Sequence, residues 1–64
     1  MVAFENIKQG CLIVDSKGSV IGEVKGTCTI GGRYVWYVVR NKLLKASYNW
    51  LIKYYYFVKH RKND

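Results

Sequence analysis

Catalytic side chains are scarce in this 64-residue chain. The carboxylates are Glu5, Asp15, Glu23 and Asp64, the single histidine is His60, and the cysteines are Cys11 and Cys28. Catalysis needs at least a positioned acid, base, nucleophile or metal. These residues share no recognisable spacing, so an enzyme is not expected. Cys11 and Cys28 do not form a CxxC pair and cannot close a zinc site alone. His60 lies in a basic tail, so neither a metal nor a cofactor is implied. Long apolar runs are also missing. The longest, Tyr34–Val39 and Tyr54–Val58, fall far short of the ~20 residues of a spanning helix. The opening MVAFENIKQG has no basic n-region and no extended apolar stretch. A cytoplasmic protein without a membrane span is expected.

A disulfide is not expected either. If Val14 pairs with Val20 across the first turn, Cys11 falls opposite Glu23. Cys28 then lies roughly 16 Å further along the strand, beyond bridging range. Both cysteines are expected as thiols, with Cys28 in the core.

What is present is concentrated in one stretch. Arg33 to Lys62 contains no glycine and no proline, yet holds every aromatic residue except Phe4. It also holds every Lys and Arg except Lys8, Lys17 and Lys25. Those three balance Glu5, Asp15 and Glu23, so the formal charge of +7 sits entirely in residues 33–64. Such asymmetry suits an anionic partner, nucleic acid or an acidic protein. It equally suits solubility of a very apolar segment. With 50% apolar and 16% aromatic residues, a folded chain is expected rather than a disordered one. At this length it forms one domain, 1–64, with a basic C-terminal tail, and its stability is marginal.

Along the chain, Phe4 and Ile7 are candidates to cap a core edge. Cys11–Val14 is a short β-rich run, and Asp15-Ser16-Lys17-Gly18-Ser19 is a cluster of turn formers. Val20 to Ile30 alternates with period two, and its glycines suit bending or a bulge. Gly31-Gly32 predicts a two-residue hairpin, with Tyr34–Val39 as the third strand. Asn41-Lys42 predicts a second turn, because Asn tolerates positive φ. From Leu44 to Val58 every even position is apolar, which favours strands rich in Tyr, Trp, Ile and Val. A helix competes there, with Lys42, Lys45, Asn49, Lys53, Tyr56 and His60 as a polar stripe. A helical turn near Ser47–Leu51, capped by Ser47, fits both.

Two-residue turns fix a register in which Ile30 pairs with Arg33, and Arg40 with Leu43. One face then collects Val24, Gly26, Cys28, Val35, Tyr37, Val39, Leu44, Ala46 and Tyr48. It is apolar on all three strands although the turns did not force it to be. The opposite face carries the rows Glu23–Arg40–Leu43, Lys25–Val38–Lys45, Thr27–Trp36–Ser47 and Thr29–Tyr34–Asn49. A continuing last strand adds Lys53, Tyr55, Phe57, Lys59 and Arg61. Aromatics interleaved with cations suit a surface that stacks bases and tracks phosphates. Tyr34 and Trp36 would stack, while Lys25, Arg40, Lys45 and Lys53 would hold the backbone. The competing arrangement buries Tyr34 and Trp36 under the N-terminal segment or a dimer partner.

Residues 10–26, GCLIVDSKGSVIGEVKG, resemble the opening of small SH3-like barrels. Val14, Asp15, Gly18, Ile21, Gly22 and Val24 are similar to the PRC-barrel pattern, and the stretch also resembles the KOW segment. Ser47–Leu51 sits where SH3-like barrels place a one-turn 3₁₀ helix before the last strand. The resemblance implies an all-β, five-stranded antiparallel barrel and carries over no functional residue. Such barrels bind RNA, DNA, peptides or proteins. The expected function is a basic, non-catalytic module for single-stranded DNA or RNA with little sequence specificity. The alternative is an adaptor or inhibitor, encoded by a phage or mobile element, that docks an acidic protein through an aromatic patch. A homodimer pairing at Tyr54–Val58 is compatible with both.

Overall fold

In the computed structural model, residues 2–58 are described. The predicted basic tail, with Lys59, His60, Arg61 and Lys62, lies outside the described residues.

A 3₁₀ turn at Phe4–Asn6 leads to β1 (Leu12–Val14), β2 (Val20–Cys28), β3 (Tyr34–Val39) and β4 (Lys42–Ser47). Helix α1 (Tyr48–Tyr54) and β5 (Tyr56–Val58) follow. The five strands form one sheet in the order β4-β3-β2-β1-β5, and every neighbouring pair is antiparallel. The structure is therefore predominantly β with five antiparallel strands, as the sequence suggests. Among the described residues, hydrogen bonds do not join β4 to β5, so the sheet is not closed into a barrel by its ladder.

The first turn forms as its residues dictate. One carboxylate oxygen of Asp15 accepts hydrogen bonds from the Lys17 and Ser19 amides, each at 2.9 Å. Gly18 supplies the left-handed residue, with φ of 85°. Val14 pairs with Val20 as expected, but Ile21 is an extra residue in β2. Leu12, rather than Cys11, therefore faces Glu23. Both cysteines are free thiols, and it is Cys11 that is buried, while Cys28 is half-buried.

The second hairpin differs from the predicted one. Its loop runs from Thr29 to Arg33, because Gly32 donates its amide to the Thr29 carbonyl and closes a turn around Ile30 and Gly31. Cys28 pairs with Tyr34, and Thr27 with Val35. A bulge at Lys25 then shifts the ladder again, so Val24 pairs with Tyr37 and Gly26 with Trp36. Each extra residue reverses the alternation of its strand. Gly26 and Cys28 consequently leave the predicted apolar face, whereas Val24, Val35 and Tyr37 stay buried in it.

The third turn also moves. Arg40 and Asn41, with φ of 52° and 65°, are the two loop residues, and Val39 pairs with Lys42. Positive φ at both positions is what a type I′ hairpin requires. Asn41 therefore serves as the second turn residue, not the first. The shift along β4 is two residues, so its faces are preserved. Leu44, predicted in the core, is 41% exposed because β4 is an edge strand.

The largest departure follows Ser47. The helical turn expected near Ser47–Leu51 is a seven-residue α-helix that replaces much of the strand favoured after it, and only Tyr56–Val58 extends again. Ser47 caps it by accepting the Trp50 amide at 3.2 Å. Tyr48 and Leu51 are buried, and Ile52 and Tyr55 pack against the same core. Those positions are spaced three and four apart, the signature of a helix face. Lys53 stands in the helix's last turn, where a cation complements the axial dipole.

Ile13, Val24, Val35 and Leu51 form the solvent-free centre, with Phe57 and the N-terminal Phe4 and Ile7 in the same cluster. Phe4 meets Tyr48 edge-on, with ring centroids 5.5 Å apart. The Tyr48 hydroxyl donates to the Val2 carbonyl at 2.6 Å. Arg33 lies over the Phe4 ring, at 5.4 Å, and pairs with Glu5 at 3.3 Å. The N-terminal segment thus closes the core over Tyr48.

Two measurements check this packing. A Cβ on Gly22 would stand 2.5 Å from the Val38 carbonyl oxygen and 2.8 Å from a Val39 methyl. Gly22→Ala is expected to destabilise the fold by about 1–3 kcal/mol, read from the urea midpoint. Burial pushes the Tyr37 phenol above its ordinary value of 10.0, and charge at Tyr55 adds to the shift. Above pH 10 the unfolded chain loses this proton before the folded one does, so the stability it confers is full below that pH and falls as pH rises further. The urea midpoint is expected to drop as pH rises above 10, and Tyr37→Phe to lessen the drop.

Candidate nucleic-acid interface

Strand β3 sorts its side chains by its pleat. Val35 and Tyr37 enter the core, which fixes the strand, and Tyr34 and Trp36 are left on the opposite face. Trp36 is 38% exposed and Tyr34 is half-buried. Neither lies under the N-terminal segment, which covers Tyr48 instead.

The ladder places Lys45 directly across from Trp36. Its ammonium reaches both outward rings, at 4.9 Å from the Tyr34 centroid and 5.2 Å from that of Trp36. These are cation–π contacts. The outward rows are Glu23–Val38–Leu43, Gly26–Trp36–Lys45 and Cys28–Tyr34–Ser47. They differ by residue from the rows expected, but three of the predicted residues, Tyr34, Trp36 and Lys45, do come together.

The other three do not join them. Arg40 sits in the β3–β4 turn rather than opposite Leu43, next to Lys42 at the hairpin tip. Lys25 is the bulge residue of β2, and its ammonium lies 3.5 Å from the Glu23 carboxylate. Lys53 belongs to α1, because the strand expected to carry it outward is a helix. Arg33 is engaged by Glu5 and Phe4. Among the described residues, Arg40, Lys42 and Lys45 have no acidic partner, and neither do Lys8, Lys17 and Lys53. The sequence places Lys42 in the turn itself and not among the site residues; it is instead the first residue of β4, paired with Val39 next to that turn.

A second aromatic group escaped the sequence reading. On α1, Trp50 and Tyr54 stand four residues apart with ring centroids 5.0 Å apart, and Tyr55 lies 6.4 Å from each. Trp50 is 46% and Tyr54 56% exposed. The signal for it was the i, i+4 spacing after a serine cap.

Among the described residues, His, Cys, Asp and Glu do not gather in threes that could hold a metal ion. Two hollows, of about 530 and 360 Å³, both border Val2 and Phe57, and neither is lined by Tyr34, Trp36 or Lys45. The ring pair lies on the outer sheet face, under the Lys45 ammonium.

Arg40 holds a left-handed backbone at a cost of about 1 kcal/mol relative to glycine. Arg40→Gly is expected to raise the urea midpoint. Comparison of the chain with protein-family models, curated proteins and solved structures returns no match.

Proposed function

We propose that this protein is a small, non-catalytic nucleic-acid-binding module of the cytoplasm. It takes single-stranded DNA or RNA with little sequence specificity. The observation that carries this is one unpaired ammonium, Lys45, set over two outward rings, Tyr34 and Trp36. Aromatic faces stack bases of any identity, and cations beside them hold the phosphates. Arg40 and Lys42 at the hairpin tip extend the positive surface from the same pair of strands. A duplex groove is a poorer match, because the only α-helix of the described residues has seven residues and carries Trp and Tyr outward, not a row of base-reading side chains. The fold reading that goes with this function is an SH3-like barrel. It is supported by five antiparallel strands, two β2 bulges and a helix between the edge strands.

The exposed Trp50–Tyr54 pair favours a second reading, an adaptor that docks an acidic protein, since Trp and Tyr dominate interface hot spots. A homodimer built on the open edge of β4 or β5 is compatible with either.

Binding of a fluorescent oligothymidylate, followed by anisotropy across a salt series, tests the first reading. Affinity is expected to fall steeply with salt. Trp36→Ala and Tyr34→Ala are expected to cost about 1–3 kcal/mol each, while Trp50→Ala leaves binding within twofold. Absence of binding at low salt overturns the proposal. Loss confined to Trp50→Ala transfers the site to the helix.

A further inference from the structure

The same geometry has a consequence for which ligands the rings accept, and this inference rests on the single-strand reading above. A stacked base lies in van der Waals contact with an aromatic face, roughly 3.5–4 Å away. The Lys45 ammonium, at 4.9 and 5.2 Å from the two centroids, lies over both rings just beyond that layer. A base that stacks squarely on either ring displaces it. The ammonium in turn leaves a favourable contact, which water replaces only in part and a nearby anion replaces better. Among the described residues, the carboxylates of Glu5 and Glu23 are engaged by Arg33 and Lys25. Asp15 is turned to its own turn, accepting the Lys17 and Ser19 amides.

We propose that Lys45 is a selectivity-determining residue: an exchangeable cap on Tyr34 and Trp36 that yields more readily to a ligand carrying a nucleobase and a phosphate within one nucleotide's reach than to either half alone. The phosphate draws the ammonium off the rings and the base takes its place. An uncharged aromatic ligand supplies no anion to receive Lys45. A polyanion without bases receives the ammonium but leaves the rings bare. The site thus recognises the two halves of a nucleotide jointly, and the ligand class is a phosphodiester-linked strand rather than free bases or polyanions at large. Exposure of Lys45 on an edge strand leaves its side chain free to swing.

Oligothymidylate and a methylphosphonate strand of the same length, which lacks backbone charge, separate the two halves. Lys45→Thr keeps a strand-forming residue but has neither charge nor reach. Lys45→Gln keeps most of the length and drops the charge. Both neutral variants are expected to bind oligothymidylate more weakly than the wild-type protein at low salt. Both are expected to bind the methylphosphonate strand about two- to fivefold more tightly, the strength of an exposed cation–π contact. Lys45→Arg is expected to keep the wild-type order on both strands. Circular dichroism establishes that each variant is folded. If the folded neutral variants bind the uncharged strand no better than wild type, the cap is overturned while the single-strand reading stands. If the wild-type protein fails to bind oligothymidylate at all, the single-strand reading falls, and the cap with it.

Discussion

One extra residue in β2 determines which side chains of that strand stand beside the outward rings of β3. The bulge at Lys25 reverses the alternation between Val24 and Gly26. Without it, a strand that buries Val24 would also turn Gly26 and Cys28 inward, opposite a β3 that already buries Val35 and Tyr37. With it, glycine and cysteine stand beside Trp36 and Tyr34 on the outer face, and neither is bulky enough to hide them. A Cβ on Gly26 would meet nothing within 4 Å. The pleat of β3 turns the rings outward, and the insertion in β2 places small residues beside them.

The rest of the fold serves a chain too short to build a deep core. It closes its small interior from three sides. The N-terminal turn contributes Phe4 and Ile7, α1 contributes Tyr48 and Leu51, and β5 contributes Phe57. Polar contacts hold these lids where apolar area is limited. The Tyr48 hydroxyl ties down Val2, and Arg33 grips Glu5 and Phe4 together. Arg33 illustrates how a count of cations misleads. It belongs to the basic half of the chain, yet its contacts lie within the fold. Arg40, Lys42 and Lys45 are the cations of the β3–β4 hairpin that remain without acidic partners among the described residues.

Much of this could be read from residue order. Turn chemistry identified Asp15–Ser19, because an aspartate that accepts two amides and a glycine at positive φ leave few alternatives. Parity identified Val24, Val35 and Tyr37 as inner residues, and so Tyr34 and Trp36 as outer ones. The bulges were less legible. Glycines hinted at irregularity in β2, but the extra residues are Ile21 and Lys25, whose own chemistry gives no sign of it. The shift of the second turn to Arg40-Asn41 was hidden because arginine is an unfavourable residue at positive φ. The helix after Ser47 was misread for a different reason. Tyr48, Trp50, Ile52 and Tyr54 alternate as a strand would, and Tyr48, Leu51, Ile52 and Tyr55 recur as a helix would. Both periods coexist in an aromatic run, and packing on the core selected the second. Lys53 was assigned to the wrong surface as a direct result.

The central claim is that the outer face of β3 and β4, and not the aromatic side of α1, receives the ligand. The two tryptophans stand one on each surface, so their indole N–H signals report separately. Heteronuclear NMR during titration with a short oligothymidylate reads them together. The account predicts progressive shifts at the Trp36 indole and at the Lys45 side chain, with the Trp50 indole unmoved. Shifts at Trp50 with Trp36 unmoved would contradict it.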